Sequence, residues 1–125
     1  MAVVPGLQAT VHLTVSEGDT ARAVGSGDVP VLATPRLLAL AEAATVAAVT
    51  GHLEAGQTSV GTRIQLEHLR ASAVGATVSV QAQLAHVDGR LLRFEVVAED
   101  ADGQAVGHGQ VTRVVVDRDR FLARL

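Results

Sequence analysis

The stretch that decides the fold is TPRLLALAEAATVAAVTG, which spans residues 34–51. Between positions 36 and 50 every residue is Leu, Ala or Val except Arg36, Glu42, Thr45 and Thr50. Thr34 and Pro35 are typical of a helix start, since a hydroxyl can cap exposed amides and the fixed φ of proline suits the first turn. Gly51 is a plausible C-terminal stop. The stretch predicts a helix with almost no polar face, which must be wrapped by other structure.

Strand patterns lie on both sides of this helix. Before it, residues 7–15 alternate between apolar and polar side chains, as a half-buried strand does. After it come four more strand-like segments, and Asp88-Gly89 and Asp102-Gly103 are turn signals that join the last three. The first of the four is predicted to have one face made of Val60, Thr62, Ile64, Leu66 and His68.

Two further segments are less regular. Residues 21–33 contain Gly25, Gly27 and Pro30, which break regular structure and predict a loop that leads into the helix. The tail, residues 117–125, is expected to form a short helix.

The order of elements predicts the fold class. One long apolar helix wrapped by a curved antiparallel sheet of about five strands is the hot-dog arrangement, so we predict an α+β hot-dog fold. The length suits a single domain over residues 1–125. A sheet this small leaves an edge strand and an outer face open, and we therefore expect a homodimer or a higher homo-oligomer.

Composition excludes several classes of function. A formal net charge of −3 and a pI near 5.9 argue against a nucleic-acid partner. The absence of cysteine excludes disulfides, a thiolate nucleophile and a Cys-ligated metal, and no two histidines have metal-ligand spacing, so no metal is expected. Without a signal-peptide pattern or an apolar run of about 18 residues, we expect a cytoplasmic protein with no membrane partner.

Glu42 is the most informative single residue. It lies in the apolar helix with Leu38 and Val46 one turn to either side. A carboxylate buried there needs a hydrogen-bonding partner or must be neutralised, and either condition suits a catalytic base or nucleophile. The alternative is an exposed or subunit-facing position on the helix.

His68 and Thr34 are two further candidates. His68 ends a largely apolar strand face, where it can shuttle protons near neutral pH or serve as a satisfied core histidine. Thr34 has a structural explanation as the helix cap, although a helix start also offers amides to a polar substrate group. On one straight helix, Thr34 and Glu42 would lie about 12 Å apart. Either Thr34 belongs to a loop that folds back, or a site unites residues from two subunits.

The motifs together resemble a known family. The run Val31–Pro35 before the helix, Glu42 within it, and then Ser59–Thr62 and His68, is similar to the fluoroacetyl-CoA thioesterase-like family of the hot-dog superfamily. The resemblance covers about residues 11–121. The Thr, Glu and His set of that family falls here on Thr34, Glu42 and His68, and a glycine and an arginine of its pattern fall on Gly61 and Arg113.

The resemblance implies hydrolysis of an acyl-CoA or acyl-carrier thioester in a pocket at a dimer interface, with coenzyme A as part of the substrate and no other cofactor. Glu42 would attack the thioester or activate water, His68 would handle protons, and Thr34 would hold Glu42 or the substrate carbonyl. Gly61 would offer its amide to the developing oxyanion, and Arg113 would contact the CoA phosphates or brace the fold.

The acyl group implied is a short or medium aliphatic chain. Residues 21–33 contain no aromatic side chain, whereas the fluoroacetyl-selective member of the family is associated with an aromatic gate in that region.

Two rival functions differ in class. A non-catalytic hot-dog protein would hold an acyl-CoA or a small metabolite without turnover, but such a binder has no need for a buried carboxylate and a histidine. A hydratase or dehydratase would need an aspartate and a histidine close together in one polar loop motif, which the sequence lacks.

Overall fold

The computed structural model describes residues 2–125 as one five-stranded sheet and a long central helix. The strands are β1 (Gln8–Thr14), β2 (Gln57–His68), β3 (Thr77–Asp88), β4 (Leu91–Asp100) and β5 (Ala105–Asp117). The helices are α1 (Ala21–Val24), α2 (Thr34–Val49) and α3 (Arg118–Ala123), with a single 3-10 turn at Glu17–Asp19. The predicted order of elements is confirmed, including the short helix in the tail.

The sheet curls around one side of α2. Its strands lie in the order β1-β3-β4-β5-β2, and every neighbouring pair is antiparallel. Leu37, Leu40 and Ala44 of α2 are buried in the same core cluster as Leu84 and Phe94 of the sheet. This arrangement is the hot-dog fold, as predicted, and it leaves β1 and β2 as the two edge strands.

The start of α2 differs from the sequence-based expectation. Ala33 is the N-cap residue and Thr34 is the first residue of the helix, with no side-chain hydrogen bond to the first turn. The predicted capping role of Thr34 is therefore wrong, because its hydroxyl bonds to the His68 side chain. Thr34 also does not belong to a loop that folds back. At the other end, Gly51 has a φ of 82° and ends the helix as predicted.

Helix α2 is not wrapped on all sides. A single sheet covers only part of its circumference, so the other side stays exposed within this chain. We call this surface the open face of α2; its members are Ala39, Ala43, Val46 and Ala47. The prediction of a fully wrapped helix is wrong for one chain, and the open face is apolar.

The predicted loop at residues 21–33 is more ordered than its glycines indicate. It begins with the single turn α1, and two isolated bridges pair Thr20 with Leu32 and Val31 with Ala73. Arg36 in α2 also donates from Nε to Asp19 Oδ1 at 2.9 Å. These contacts fix the approach to α2 and therefore the position of Thr34.

A β-bulge in β2 decides which residues of this strand face the helix. Gly61 is paired with Arg113 but Arg63 with Thr112, so Thr62 is an extra residue in the ladder. Paired residues in an antiparallel ladder lie on the same face of the sheet. Gly61 therefore shares the inward face with Arg113, whose side chain is buried.

The bulge also corrects the predicted strand face. Ser59 and Gly61 face inward, so the placement of Val60 and Thr62 on that face is wrong. Beyond the bulge the predicted phase is right: Ile64 is paired with the buried Val111, and His68 lies on the same face four residues later. An insertion of one residue shifts the alternation by one position, which a strict period of two does not anticipate.

Candidate active site

The first of two polar clusters joins the start of α2 to the end of β2. Thr34 Oγ1 and His68 Nδ1 share a hydrogen bond of 2.8 Å. His68 Nε2 is buried, and no residue within 2–125 supplies it with a hydrogen-bond partner. Burial lowers the pKa of His68 below its ordinary value of 6.5 and so favours the neutral imidazole, while a backbone hydrogen bond with Arg70 acts in the opposite direction. A neutral imidazole can accept a proton.

The second cluster lies in the middle of α2. Arg113 Nη1 donates to Glu42 Oε2 at 3.0 Å, and Arg113 also donates from Nε to Ser59 Oγ at 2.8 Å and from Nη2 to the Ser59 carbonyl at 3.0 Å. The Arg113 side chain is 8% exposed and that of Glu42 is 34% exposed. Glu42 therefore has the partner that its apolar surroundings require, and its side chain is still partly exposed.

Gly61 makes room for this second cluster. A Cβ atom at position 61 would overlap Glu42 Oε2 and would lie 3.4 Å from Arg113 Nη1. Gly61 is not among the glycines with positive φ, so its backbone conformation does not require glycine. A side chain at position 61 would instead require the Glu42 carboxylate to move.

The five predicted site residues thus fall into two groups within one chain. Thr34 contacts His68, whereas Glu42 contacts Arg113 beside Gly61. Both Thr34 and Glu42 lie on the same helix, about 12 Å apart along its axis. The hydroxyl of Thr34 is bonded to His68 rather than to Glu42. The three hydrogen bonds of Arg113 favour its bracing role over contact with CoA phosphates.

Ser59 was missed as a site residue. In the sequence it belongs only to the run Ser59–Thr62, and simple alternation places it on the outward face. The pattern that could have identified Ser59 lies in β5, where Val111, Arg113 and Val115 share one face. An arginine between two inward valines needs acceptors from the neighbouring strand, and Ser59 is opposite Val115.

Two clefts adjoin the clusters. A cleft of about 310 Å³ borders Thr34 and His68, and its other walls come from Ala21 and from residues 26–29, 31–32 and 69–71. A second cleft, of about 330 Å³, lies between the end of α2 and the start of β2, with Val46, Val49 and Leu53 beside Ser59. Within residues 2–125 no three His, Cys, Asp or Glu side chains are grouped as metal ligands. Across the same residues, no helix is both long and apolar enough to span a membrane.

Comparison with known proteins identifies the class first. A thioesterase superfamily member from Thermus thermophilus superposes with a TM-score of 0.89 at 26% identity, over 96% of this chain and 88% of that one. A variant of the fluoroacetyl-CoA-specific thioesterase FlK, crystallised with fluoroacetate and CoA, gives 0.87 at 33% identity, over 95% and 99% of the two chains. The fold is that of the hot-dog thioesterases.

The family follows from sequence. The fluoroacetyl-CoA-specific thioesterase (FlK) family model matches residues 15–119. The fluoroacetyl-CoA thioesterase of Streptantibioticus cattleyicolor is 38% identical over 95 residues, which are 76% of this chain and 68% of that protein. The chain belongs to the fluoroacetyl-CoA-specific thioesterase family, which confirms the predicted resemblance and the predicted class of enzyme, a thioester hydrolase.

Substitution of Gly61 by alanine is expected to lower kcat by about tenfold or more, since the added methyl group must displace the Glu42 carboxylate or the Arg113 guanidinium. Steady-state hydrolysis of an acyl-CoA measures this. Gly18→Ala is the matched control, because a Cβ there meets nothing closer than 4.0 Å, and its activity should stay at the wild-type level. Wild-type kcat in Gly61→Ala would show that Glu42 tolerates displacement.

Proposed function

We propose that this chain hydrolyses acyl-CoA thioesters with a short or medium aliphatic acyl group, and that Thr34, Glu42 and His68 carry the reaction. The observation that carries the proposal is Glu42, whose carboxylate is held by the buried Arg113 and whose side chain is still one-third exposed, in a chain of a thioesterase family. The Thr34–His68 pair supplies the second requirement, a proton-transfer group.

Two routes are open to Glu42. As a general base, it takes a proton from water while the water oxygen bonds to the thioester carbon. As a nucleophile, its own oxygen bonds to that carbon, and water then hydrolyses the resulting anhydride. In both routes the C–S bond breaks, the electron pair leaves with sulfur, and His68 moves a proton to or from the reacting groups. The amide of Gly61 is proposed to stabilise the oxyanion.

We further propose that the site is shared by two subunits of a homodimer. Within one chain the helix keeps Thr34 and Glu42 about 12 Å apart. The support is twofold: β2 has a free edge, and the open face of α2 is apolar. Association through β2 would cover the edge strand and bring the Thr34–His68 pair of one subunit towards Glu42 of the other.

The acyl preference is supported by the cleft beside Ser59. Val46 and Val49 of α2, together with Leu53 after the helix, give it one apolar wall, and the rest of its lining is largely polar. No aromatic side chain borders either this cleft or the one at His68. An aliphatic chain matches such a lining by burial of its methylene groups.

The deciding experiment is hydrolysis of a panel of acyl-CoAs from acetyl to decanoyl, with fluoroacetyl-CoA included, read by a thiol-reactive dye. The chain has no cysteine, so the protein itself does not react with the dye. Turnover that is highest for a short or medium aliphatic chain is the expected result. Binding of the CoA esters without turnover would favour a non-catalytic binding protein instead. The same acyl groups on a carrier protein distinguish the two thioester carriers.

The lowered pKa of His68 predicts the pH dependence. Its neutral form, which accepts protons, persists below pH 6.5, so activity is expected to fall only at a pH below that value. The measurement is an NMR titration of the His68 ring, identified by its absence in His68→Asn, beside a pH profile of kcat/KM. A His68 titration midpoint above 6.5 would contradict the prediction.

A further inference from the structure

Ser59 accepts two hydrogen bonds from the guanidinium of Arg113. Its hydroxyl accepts from Nε at 2.8 Å and its carbonyl accepts from Nη2 at 3.0 Å. Both acceptors belong to one residue of β2, so together they fix the plane of the guanidinium as well as its position. The third nitrogen, Nη1, is left to point at Glu42.

The consequence for Glu42 is that its two oxygens differ. Oε2 accepts from Arg113 Nη1 at 3.0 Å, whereas Oε1 has no hydrogen-bond partner within residues 2–125. A guanidinium free to rotate is able to offer two nitrogens to the carboxylate and hold both oxygens. Ser59 takes one N–H of Nε and one of Nη2. In the orientation this fixes, only Nη1 reaches the carboxylate, and only one oxygen of Glu42 is held.

We infer that Ser59 is a positioning residue that sets the direction of the Glu42 carboxylate through Arg113, so that Oε1 is the oxygen that reacts. This inference rests on the proposed function, in which Glu42 is the base or nucleophile. A substitution of Ser59 can remove only the hydrogen bond to its hydroxyl. The hydrogen bond to its carbonyl belongs to the backbone and remains.

The test compares Ser59→Ala with Ser59→Thr. Alanine leaves Arg113 Nε without its acceptor and lets the guanidinium turn, so kcat is expected to fall about tenfold with little change in KM. Threonine keeps the hydroxyl and is expected to restore most of kcat. A purely structural role would instead lower the melting temperature of both variants or change kcat and KM without rescue by threonine.

Ser79→Ala is the matched control. Ser79 lies on β3, and its hydroxyl bonds to the exposed His12, so this variant also removes one strand hydroxyl and one side-chain hydrogen bond. Wild-type kcat is expected.

The outcomes separate the two proposals. Wild-type kcat in Ser59→Ala, in an enzyme that Glu42→Gln inactivates, overturns the positioning role and leaves the proposed function intact. A tenfold loss that threonine fails to rescue also overturns it. No turnover by the wild type on any acyl-CoA overturns both.

Discussion

Glu42→Gln is expected to lower kcat for the preferred acyl-CoA by about a hundredfold or more, the usual effect of removing a proton-transfer group or nucleophile. The amide cannot take a proton from water and is a poor nucleophile. Its oxygen can still accept from Arg113 Nη1, so the buried guanidinium keeps a partner and the fold should be preserved. KM should change far less than kcat, because the two side chains have nearly the same shape.

The matched control for this prediction is Glu99→Gln. Glu99 is exposed near the end of β4, so this variant also removes a carboxylate and should leave kcat unchanged. Melting temperatures of both variants, compared with the wild type, separate loss of chemistry from loss of structure. If Glu42→Gln keeps more than about a tenth of the wild-type kcat, Glu42 is a structural partner of Arg113 and the reaction uses another group.

Much of the fold could be predicted because its signals are local. Periodicity identifies a strand or a helix from neighbours a few residues apart, and glycine turn signals such as Asp88-Gly89 mark hairpins directly. The hot-dog arrangement then follows from one apolar helix and one run of antiparallel strands.

The errors arise where distant residues decide the local structure. Thr34 has the residue type of a cap, but its hydroxyl bonds to His68, which lies 34 positions away in the chain. The bulge at Thr62 is set by pairing with β5, so the alternation of β2 alone predicts the wrong inward residues before it. The Thr34–His68 hydrogen bond and the pairing of β2 with β5 decide which side chains can meet. The periodicity of the sequence reveals neither of them.

The grouping of the site residues is the other feature that the sequence left open. Eight residues of helix always span about 12 Å. The spacing of Thr34 and Glu42 therefore already allowed the prediction of a site shared by two subunits. What could not be foreseen is that each half brings its own partner: His68 for Thr34 and Arg113 for Glu42.

Mixed dimers test the shared site with the largest expected gain of activity. Glu42→Gln and His68→Ala are each expected to be nearly inactive alone. If one site uses His68 of one subunit and Glu42 of the other, a mixed dimer of these variants contains one intact site and one doubly damaged site. Random reassociation makes half the dimers mixed, so unfolding and refolding the two variants together should restore about a quarter of the wild-type activity.

The control places both substitutions in the same chain. When the double variant, Glu42→Gln with His68→Ala, is refolded with the wild type, a shared site leaves every site in a mixed dimer lacking one group, whereas sites within one chain leave one site intact. Activity per wild-type chain should therefore fall by about half at equal amounts. An inactive mixture of the single variants, together with undiminished activity per wild-type chain in the control, would mean that each chain builds its own site. Thr34 and His68 would then act on the substrate at a distance from Glu42 set by the helix.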